Sequence, residues 1–343
     1  MVHGHTARNR EVGLDRRRGR EVGLDGRRGR EVDLDGRCGG VRFVKTLVVA
    51  SGKGGTGKTT ITALFARLAS PGSAVLADCD VEASNLPLAL TAKIDRKTGF
   101  EGAARASIDA AKCVGCGRCE EACRIGAIRA RSQYGRRRVD QWMCEGCGVC
   151  ERVCPAGAVA SSPSKAGEIF EGRTSVGEIA FARLAPGEDL SGKLVTQVRA
   201  RAQAIGSRLG ARLLLIDGPP GVGCPLIASM SNAHGVIAVA EPSRSGVHDL
   251  LRLVELARHL GVPLRVVLNK ADLSESGRKA LLEACGDEDL EVLGEVPFDS
   301  RMATVPASTS GKELAERLLP DGSRPGIQAV SEVWRRVEAW AGR

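Results

Sequence analysis

Residues Lys45–Thr59 read KTLVVASGKGGTGKT. The run KTLVVA (Lys45–Ala50) is short, apolar and followed by glycines, which predicts a buried parallel strand ending in a loop. From Lys58 to Ser70 the apolar residues Ile61, Leu64, Phe65 and Leu68 recur at helical spacing. Between strand and helix, Gly52–Thr59 matches the phosphate-loop pattern G-x4-G-K-[ST] in the context that pattern requires. The glycines let successive backbone N–H groups converge on phosphate oxygens, and the following helix adds the positive end of its dipole. The expected phosphate contacts come from Gly52, Lys53, Gly54, Gly55, Thr56, Gly57, Lys58, Thr59 and Thr60. Lys58 is expected to reach the β/γ-phosphates, and the Thr59 hydroxyl to ligate Mg²⁺.

Outward from this stretch, strands are predicted at Ala74–Asp78, Arg212–Ile216, Gly235–Val239, Leu264–Asn269 and Glu291–Val296. Helices fall between them at Leu194–Leu209, Gly246–Leu260 and Gly277–Ala284. Alternating strands and helices imply an α/β fold with a parallel sheet covered on both faces. Residues 103–162 break the rhythm and carry two groups of cysteines. They are expected to form a small inserted domain, leaving 41–102 and 163–343 as the nucleotide-binding domain. Apolar residues Ile327, Val330, Val333, Trp334, Val337 and Trp340 lie on one face of a C-terminal helix at 326–341, expected to pack on the sheet.

The chain has 343 residues and is 43% hydrophobic but only 3% aromatic, so its core must be aliphatic. Residues 10–39 hold three copies of a ten-residue Arg-rich unit whose apolar positions are too sparse to bury anything. Residues 1–40 are therefore expected to be a disordered extension. The net charge of +9 is spread between 1–40, with 10 Arg against 7 acids, and 103–160, with 10 basic against 6 acidic residues. Without one basic face, and with few rings on which bases would stack, nucleic acid is not an expected partner. No apolar run approaches the roughly 18 residues of a membrane span. No transmembrane segment is expected, and the expected location is cytoplasmic.

Lys53 adds a second lysine early in the loop, in KGGTGKT. This resembles the deviant phosphate loop of the MinD/ParA/Mrp and nitrogenase iron-protein group of P-loop ATPases. Asp78-Cys79-Asp80 resembles the second acidic motif of that family. Leu213–Ile216 followed by Asp217-Gly218-Pro219-Pro220-Gly221 resembles its Walker B strand and switch loop. Asn269-Lys270-Ala271-Asp272 follows a further strand. The resemblance implies an ATP-dependent homodimer with nucleotide between two chains and Lys53 reaching the partner's phosphates. It makes Lys53, Lys58 and Asp80 catalytic, Asp80 by orienting the attacking water. Asp78 would help hold the magnesium hydration shell, Asp217 would bind Mg²⁺ through water, and Gly218 would sense the γ-phosphate. Asn269 would contact the base. NKxD also occurs in GTPases, where the Asp reads guanine, so GTP stands as the alternative to ATP.

Eight of the twelve cysteines fall in two runs: Cys113-x2-Cys116-x2-Cys119-x3-Cys123 and Cys144-x2-Cys147-x2-Cys150-x3-Cys154-Pro155. This is the bacterial two-cluster ferredoxin pattern, in which the fourth cysteine of each run ligates the other cluster. One [4Fe–4S] is thus assigned to Cys113, Cys116, Cys119 and Cys154. The second is assigned to Cys144, Cys147, Cys150 and Cys123. Glycines 115, 117, 146 and 148 permit the tight turns this requires. Two zinc sites would also use eight cysteines, but the run fits them poorly. Arg124 stands where the first run would carry proline, and its charge would favour the more reduced state of a neighbouring cluster. Tyr134–Val139, with Arg136, Arg137 and Arg138, reads as a solvated loop or as a docking element for an acidic redox partner. Cys224 lies seven residues after Asp217. At this offset the nitrogenase iron protein carries a cluster ligand; the alternative is an inert buried thiol. Cys79 and Cys285 read as ordinary buried residues.

The resemblance covers roughly residues 44–343 and implies a MinD-type ATPase carrying an inserted two-cluster ferredoxin domain. The leading expectation is ATP-gated electron transfer to a redox or metalloenzyme-maturation partner. A cluster-delivering metallochaperone and a MinD/ParA-like regulatory switch are the alternatives.

Overall fold

The computed structural model describes residues 44–130, 135–188, 191–300 and 324–342, together with four two-residue strands at Gly23–Leu24, Glu31–Val32, Arg37–Cys38 and Val41–Arg42. The disorder expected of residues 1–40 otherwise lies outside the described residues. The main sheet contains β1 (Lys45–Ser51), β2 (Ala74–Asp78), β3 (Lys93–Ile108), β6 (Val159–Arg173), β7 (Glu178–Leu184), β8 (Leu213–Pro220), β9 (Gly235–Ala240), β10 (Leu264–Asn269) and β11 (Val292–Val296). Their spatial order is β11-β10-β9-β1-β8-β2-β7-β6-β3. The seven from β11 to β7 are mutually parallel, while β6 runs antiparallel to both β7 and β3.

Helices α1 (Lys58–Leu68), α2 (Leu86–Ala89) and α9 (Pro325–Ala341) cover one face of the sheet. Helices α5 (Ser191–Leu209), α6 (Cys224–Met230), α7 (Arg244–Leu260) and α8 (Glu275–Asp287) cover the other. The two-residue period of a strand divides β1 between them. Leu47 and Val49 join the layer of α1 and α9, and Val48 and Ala50 join the layer of α5 to α8. All four are at most 2% exposed. A central strand buried on both faces has no polar alternation, which is why KTLVVA reads as an unbroken apolar run. The C-terminal helix packs on the sheet as expected, with Trp334 tilted against Phe65 at 5.1 Å between centroids.

Two parts of the architecture differ from expectation. The sheet is not purely parallel. β3 and β6 form a long antiparallel ribbon whose outer half, Glu101–Ile108 paired with Val159–Lys165, leads into and out of the cysteine-bearing segment 109–158. β3 reads KIDRKTGFEGAARASI and only Phe100 and Ala106 are buried, so it lacks the apolar pattern that marks a strand. In addition, part of the predicted loop 134–139 is a strand. Within the insert, β4 (Ile128–Ala130) pairs with β5 (Arg137–Val139), and Val139 is buried. Arg137 ion-pairs with Glu120 at 2.5 Å, so it is not a freely solvated arginine.

Candidate functional site

The candidate phosphate site gathers at the carboxyl ends of the parallel strands, where open α/β sheets bind ligands. The loop after β1 leads into α1, with Gly57 as its N-cap at φ 93°. That conformation is left-handed and disfavours any side chain. A Cβ at Gly57 would also lie 2.4 Å from Asn269 Nδ2, and one at Gly52 would lie 2.5 Å from the Asp249 carbonyl oxygen. Both positions therefore demand glycine on steric grounds as well as for phosphate approach. The loop is held from outside: Asn269 Nδ2 donates to Thr56 O at 2.7 Å, Lys270 Nζ to Gly55 O at 2.8 Å, and Ser51 Oγ to Lys53 O at 2.6 Å. Asn269, expected at the base, thus has its amide engaged by the phosphate loop. Asp272 accepts from the Phe298 N–H at 2.6 Å, which gives it a backbone partner within the chain.

Lys58 is 6% exposed at the start of α1. Asp80 and Asp217 lie near it, and Asp78 lies near Asp217. Asp78, at the end of β2, is fully buried and accepts from Ser84 Oγ at 2.8 Å, Leu86 N at 3.0 Å and Asp80 N at 3.0 Å. Asp217, on β8, accepts from Thr62 Oγ1 at 3.2 Å and from the Thr59 hydroxyl. Burial raises the Asp217 pKa to about 6, against the opposing pull of Thr59, Lys58 and Thr62. Burial, then the neighbouring Asp217 charge, holds Asp78 well above the ordinary carboxylate range. Burial also raises Asp80.

Asp217 Oδ2 is buried and accepts no hydrogen bond, and buried Thr56 Oγ1 is likewise unpaired. An orphaned carboxylate oxygen beside Thr59 and Lys58 fits a hydrated Mg²⁺ held with a nucleotide: hard oxygen donors, with waters retained. A sign follows from the raised pKa values. The folded chain without cation binds more protons than the unfolded chain between about pH 4 and about pH 6. Its stability is expected to fall as pH rises through that window. A bound cation favours the ionised carboxylates, so Mg-ADP is expected to raise the thermal midpoint more at about pH 8 than at about pH 5. Thermal melts with and without Mg-ADP at both pH values check this; an equal increment would contradict the placement of the cation at Asp217.

Lys53 makes contacts that sequence reading missed. Its ammonium lies 2.5 Å from Glu241 Oε1 and donates to Ser243 Oγ at 3.1 Å and Ser245 Oγ at 2.8 Å. Glu241 also pairs with Lys270 at 3.0 Å, and its pKa is lowered because the two lysines outweigh its partial burial. Glu241, just after β9, therefore ties the early lysine to the residue after Asn269. Its position at a central strand end was the only available signal. Thr62, one helical turn beyond Lys58, carried none.

The eight clustered cysteines fall into two groups. Cys113, Cys116, Cys119 and Cys154 line one tight cavity together with Arg137. Cys123, Cys144, Cys147 and Cys150 line a second cavity of about 580 Å³. Each group thus takes three cysteines from one run and the last cysteine of the other. The two halves share a backbone device. Gly117 and Gly148, at φ 81° and 73°, cap the one-turn helices α3 (Arg118–Glu121) and α4 (Val149–Arg152), and Gly115 and Gly146 are also left-handed. Cys119, Cys150, Ile128, Val139, Ala106 and Val159 form a small core between them. Cys154 Sγ accepts from Ala158 N at 3.2 Å. Among the described residues no three His, Cys, Asp or Glu side chains converge on one metal ion. A four-iron cluster instead spreads four thiolates around a cube, and two cavities each lined by four cysteines fit that donor set. Arg124, a departure in the first run, borders the second cavity.

Cys224 is exposed and opens α6, with its Cβ 3.5 Å from where a Cβ on Gly192 would stand. It lies in neither cysteine cavity. Cys79 and Cys285 are buried, as expected, and burial pushes the Cys285 thiol up to about 11.

Residues 47–311 match the CobQ/CobB/MinD/ParA nucleotide binding domain. The uncharacterized protein MJ0578 of Methanocaldococcus jannaschii is 34% identical over 297 residues, covering 86% of this chain and 97% of that protein. Among solved structures, the cell division ATPase MinD of Pyrococcus furiosus aligns with a TM-score of 0.52 at 16% identity, over 87% of this chain and all of that one. MinD of Pyrococcus horikoshii, complexed with Mg-ADP, aligns with a TM-score of 0.50 at 17% identity, over 88% and 98% of the two chains. These structural likenesses concern the fold.

Proposed function

Because this chain belongs to the CobQ/CobB/MinD/ParA family of nucleotide-binding domains, we propose that it is an ATP-hydrolysing iron–sulfur protein in which nucleotide state gates electron transfer to a protein partner. The observation that carries the iron–sulfur half is the sorting of the eight cysteines into two cavities, each drawing its fourth member from the other run. The C-x2-C-x2-C-x3-C spacing with an exchanged fourth cysteine is that of two adjacent four-iron clusters and fits tetrahedral zinc poorly. The nucleotide half is supported by the glycine-only loop, buried Lys58 and the orphaned oxygen of Asp217. ATP over GTP is supported by the early lysine and by the backbone partner of Asp272.

In this reading, loop N–H groups and Lys58 bind and orient the phosphates. Thr59 and Asp217 hold the hydrated cation, and Asp78 completes its surroundings. Asp80 orients the attacking water. Lys53 leaves Glu241 and reaches the phosphates of a second copy, so the working form is a homodimer. The clusters, when bound, supply one-electron storage at two points. The cysteine halves exclude water from them through Ile128, Val139 and Val159. Two cavities each lined by four cysteines argue for this reading over a purely regulatory switch, which has no need of redox centres.

Anaerobically purified protein is expected to contain about eight iron atoms and about eight sulfides per chain, and to hydrolyse ATP in a Mg²⁺-dependent manner. Protein carrying two zinc ions and no sulfide would sink the iron–sulfur half.

A further inference from the structure

The second cysteine half packs on the outer part of β3 and reaches the nucleotide domain through Trp142. Its Gln141 Nε2 donates to Ala106 O on β3 at 2.8 Å. A Cβ at Gly146 would lie 1.6 Å from Ala104 O, so this turn rests directly on the same strand. The ring of Trp142 covers Gly187, where a Cβ would lie 2.3 Å from the ring. Gly187 has φ 75°, so the turn itself calls for glycine. Its neighbour Glu188 pairs with Arg105 of β3 at 2.8 Å, with side chains 8% and 17% exposed. The close approaches at Gly115 and Gly117 in the first half, to Gly135 and Arg137, stay inside the insert, as do those of Gln141 and Gly146; Trp142 reaches beyond it.

The turn that receives Trp142 also touches the nucleotide site. Leu184, which ends β7, donates its N–H to Val81 O at 2.9 Å. Val81 is buried and directly follows Asp80. Ala185 then donates to Ala166 O at 2.8 Å, and Glu188 N closes the turn on Ala185 O at 3.3 Å. From Asp80 to Cys144 the connection is one backbone hydrogen bond, one ring contact and three short stretches of chain. A second approach comes from the other acidic loop, where Cys224, seven residues past Asp217, lies beside Gly192 just beyond the same turn.

We propose that the turn Leu184–Glu188 is the mechanical link by which the loop carrying Asp78 and Asp80 sets the position of the second cysteine half, residues 141–147. The link rests on the nucleotide-gating reading given above. Movement of Asp80 and Val81 on nucleotide binding displaces Leu184, and the half-buried Glu188–Arg105 pair carries that displacement to the ribbon beside Trp142. The second cysteine site is thereby the one whose exposure follows the nucleotide.

Amide hydrogen exchange on the full chain tests this. Segment 141–147 is compared with no nucleotide, with Mg-ADP and with a non-hydrolysable ATP analogue plus Mg²⁺, while calorimetry reports binding separately. The intact protein is expected to change its exchange at 141–147 by about 5-fold or more between the two nucleotides. Glu188→Gln is expected to keep analogue affinity within about 2-fold while the change shrinks below about 2-fold. The swapped pair Arg105→Glu with Glu188→Arg is expected to restore it, and Trp142→Ala to remove it again. Tight nucleotide binding with no change at 141–147, or a change that survives both Glu188→Gln and Trp142→Ala, would overturn the link and leave the nucleotide reading standing. Absence of nucleotide binding would overturn both.

Discussion

Lys58→Gln is expected to lower ATP hydrolysis by about 10²- to 10³-fold, the scale seen when one preorganised charge is removed from a transition state. Lys58 is buried at the start of α1, and no backbone hydrogen bond of the loop depends on its side chain, so the fold is expected to persist. A second readout separates loss of charge from general damage. Lys58 is one of the groups that pulls the Asp217 pKa down against burial. Without it, Asp217 is expected to titrate higher, and the pH dependence of Mg²⁺-assisted ADP binding to shift upward. Hydrolysis within about 3-fold of the parent protein would place the phosphates elsewhere. Lys53→Ala tests the other lysine. Its ammonium is engaged by Glu241, Ser243 and Ser245 within one chain, so ADP affinity is expected to stay while hydrolysis in the dimer is lost.

The cysteines are expected to fail in pairs that cross the sequence. Cys154→Ala and Cys119→Ala should each cost about half of the iron, and so should Cys123→Ala and Cys150→Ala. Singles therefore cannot reveal the grouping, but doubles can. Cys119→Ala with Cys154→Ala touches one cavity and is expected to retain about half of the iron. Cys119→Ala with Cys123→Ala touches both cavities and is expected to lose nearly all of it, although the two residues are close in sequence. The reverse ordering would mean that each run closes on its own metal. Cys224→Ser is expected to leave iron content unchanged, because Cys224 lies in neither cavity. Iron and sulfide analysis with EPR of the reduced protein reads all of these.

Much of this was legible in the sequence because its chemistry is local. A phosphate loop is one strand, one turn and one helix, and the spacing of the runs at 113–123 and 144–154 anticipates the two cavities that their cysteines line. The central strands were legible because burial on both faces makes them continuously apolar. The ribbon was not. β3 is solvated along most of its length and held by backbone pairing to β6, which leaves no imprint on side-chain pattern. Glu241 was hidden for a different reason. It meets Lys53 across 188 residues, through the adjacency of β1 and β9, and only the sheet order brings them together. Trp142 and Glu188 belong to the same class: their roles arise from contacts between distant segments.

The central claim is that nucleotide and cysteine sites share one energetic cycle. An anaerobic redox titration followed by EPR, run with Mg-ADP and again with a non-hydrolysable ATP analogue, measures this most directly. A shift of about 60 mV or more in one of the two centres, equal to roughly 1.4 kcal/mol for a one-electron couple, is the expected result. Identical potentials in both nucleotide states, in protein shown to bind both nucleotides, would contradict it.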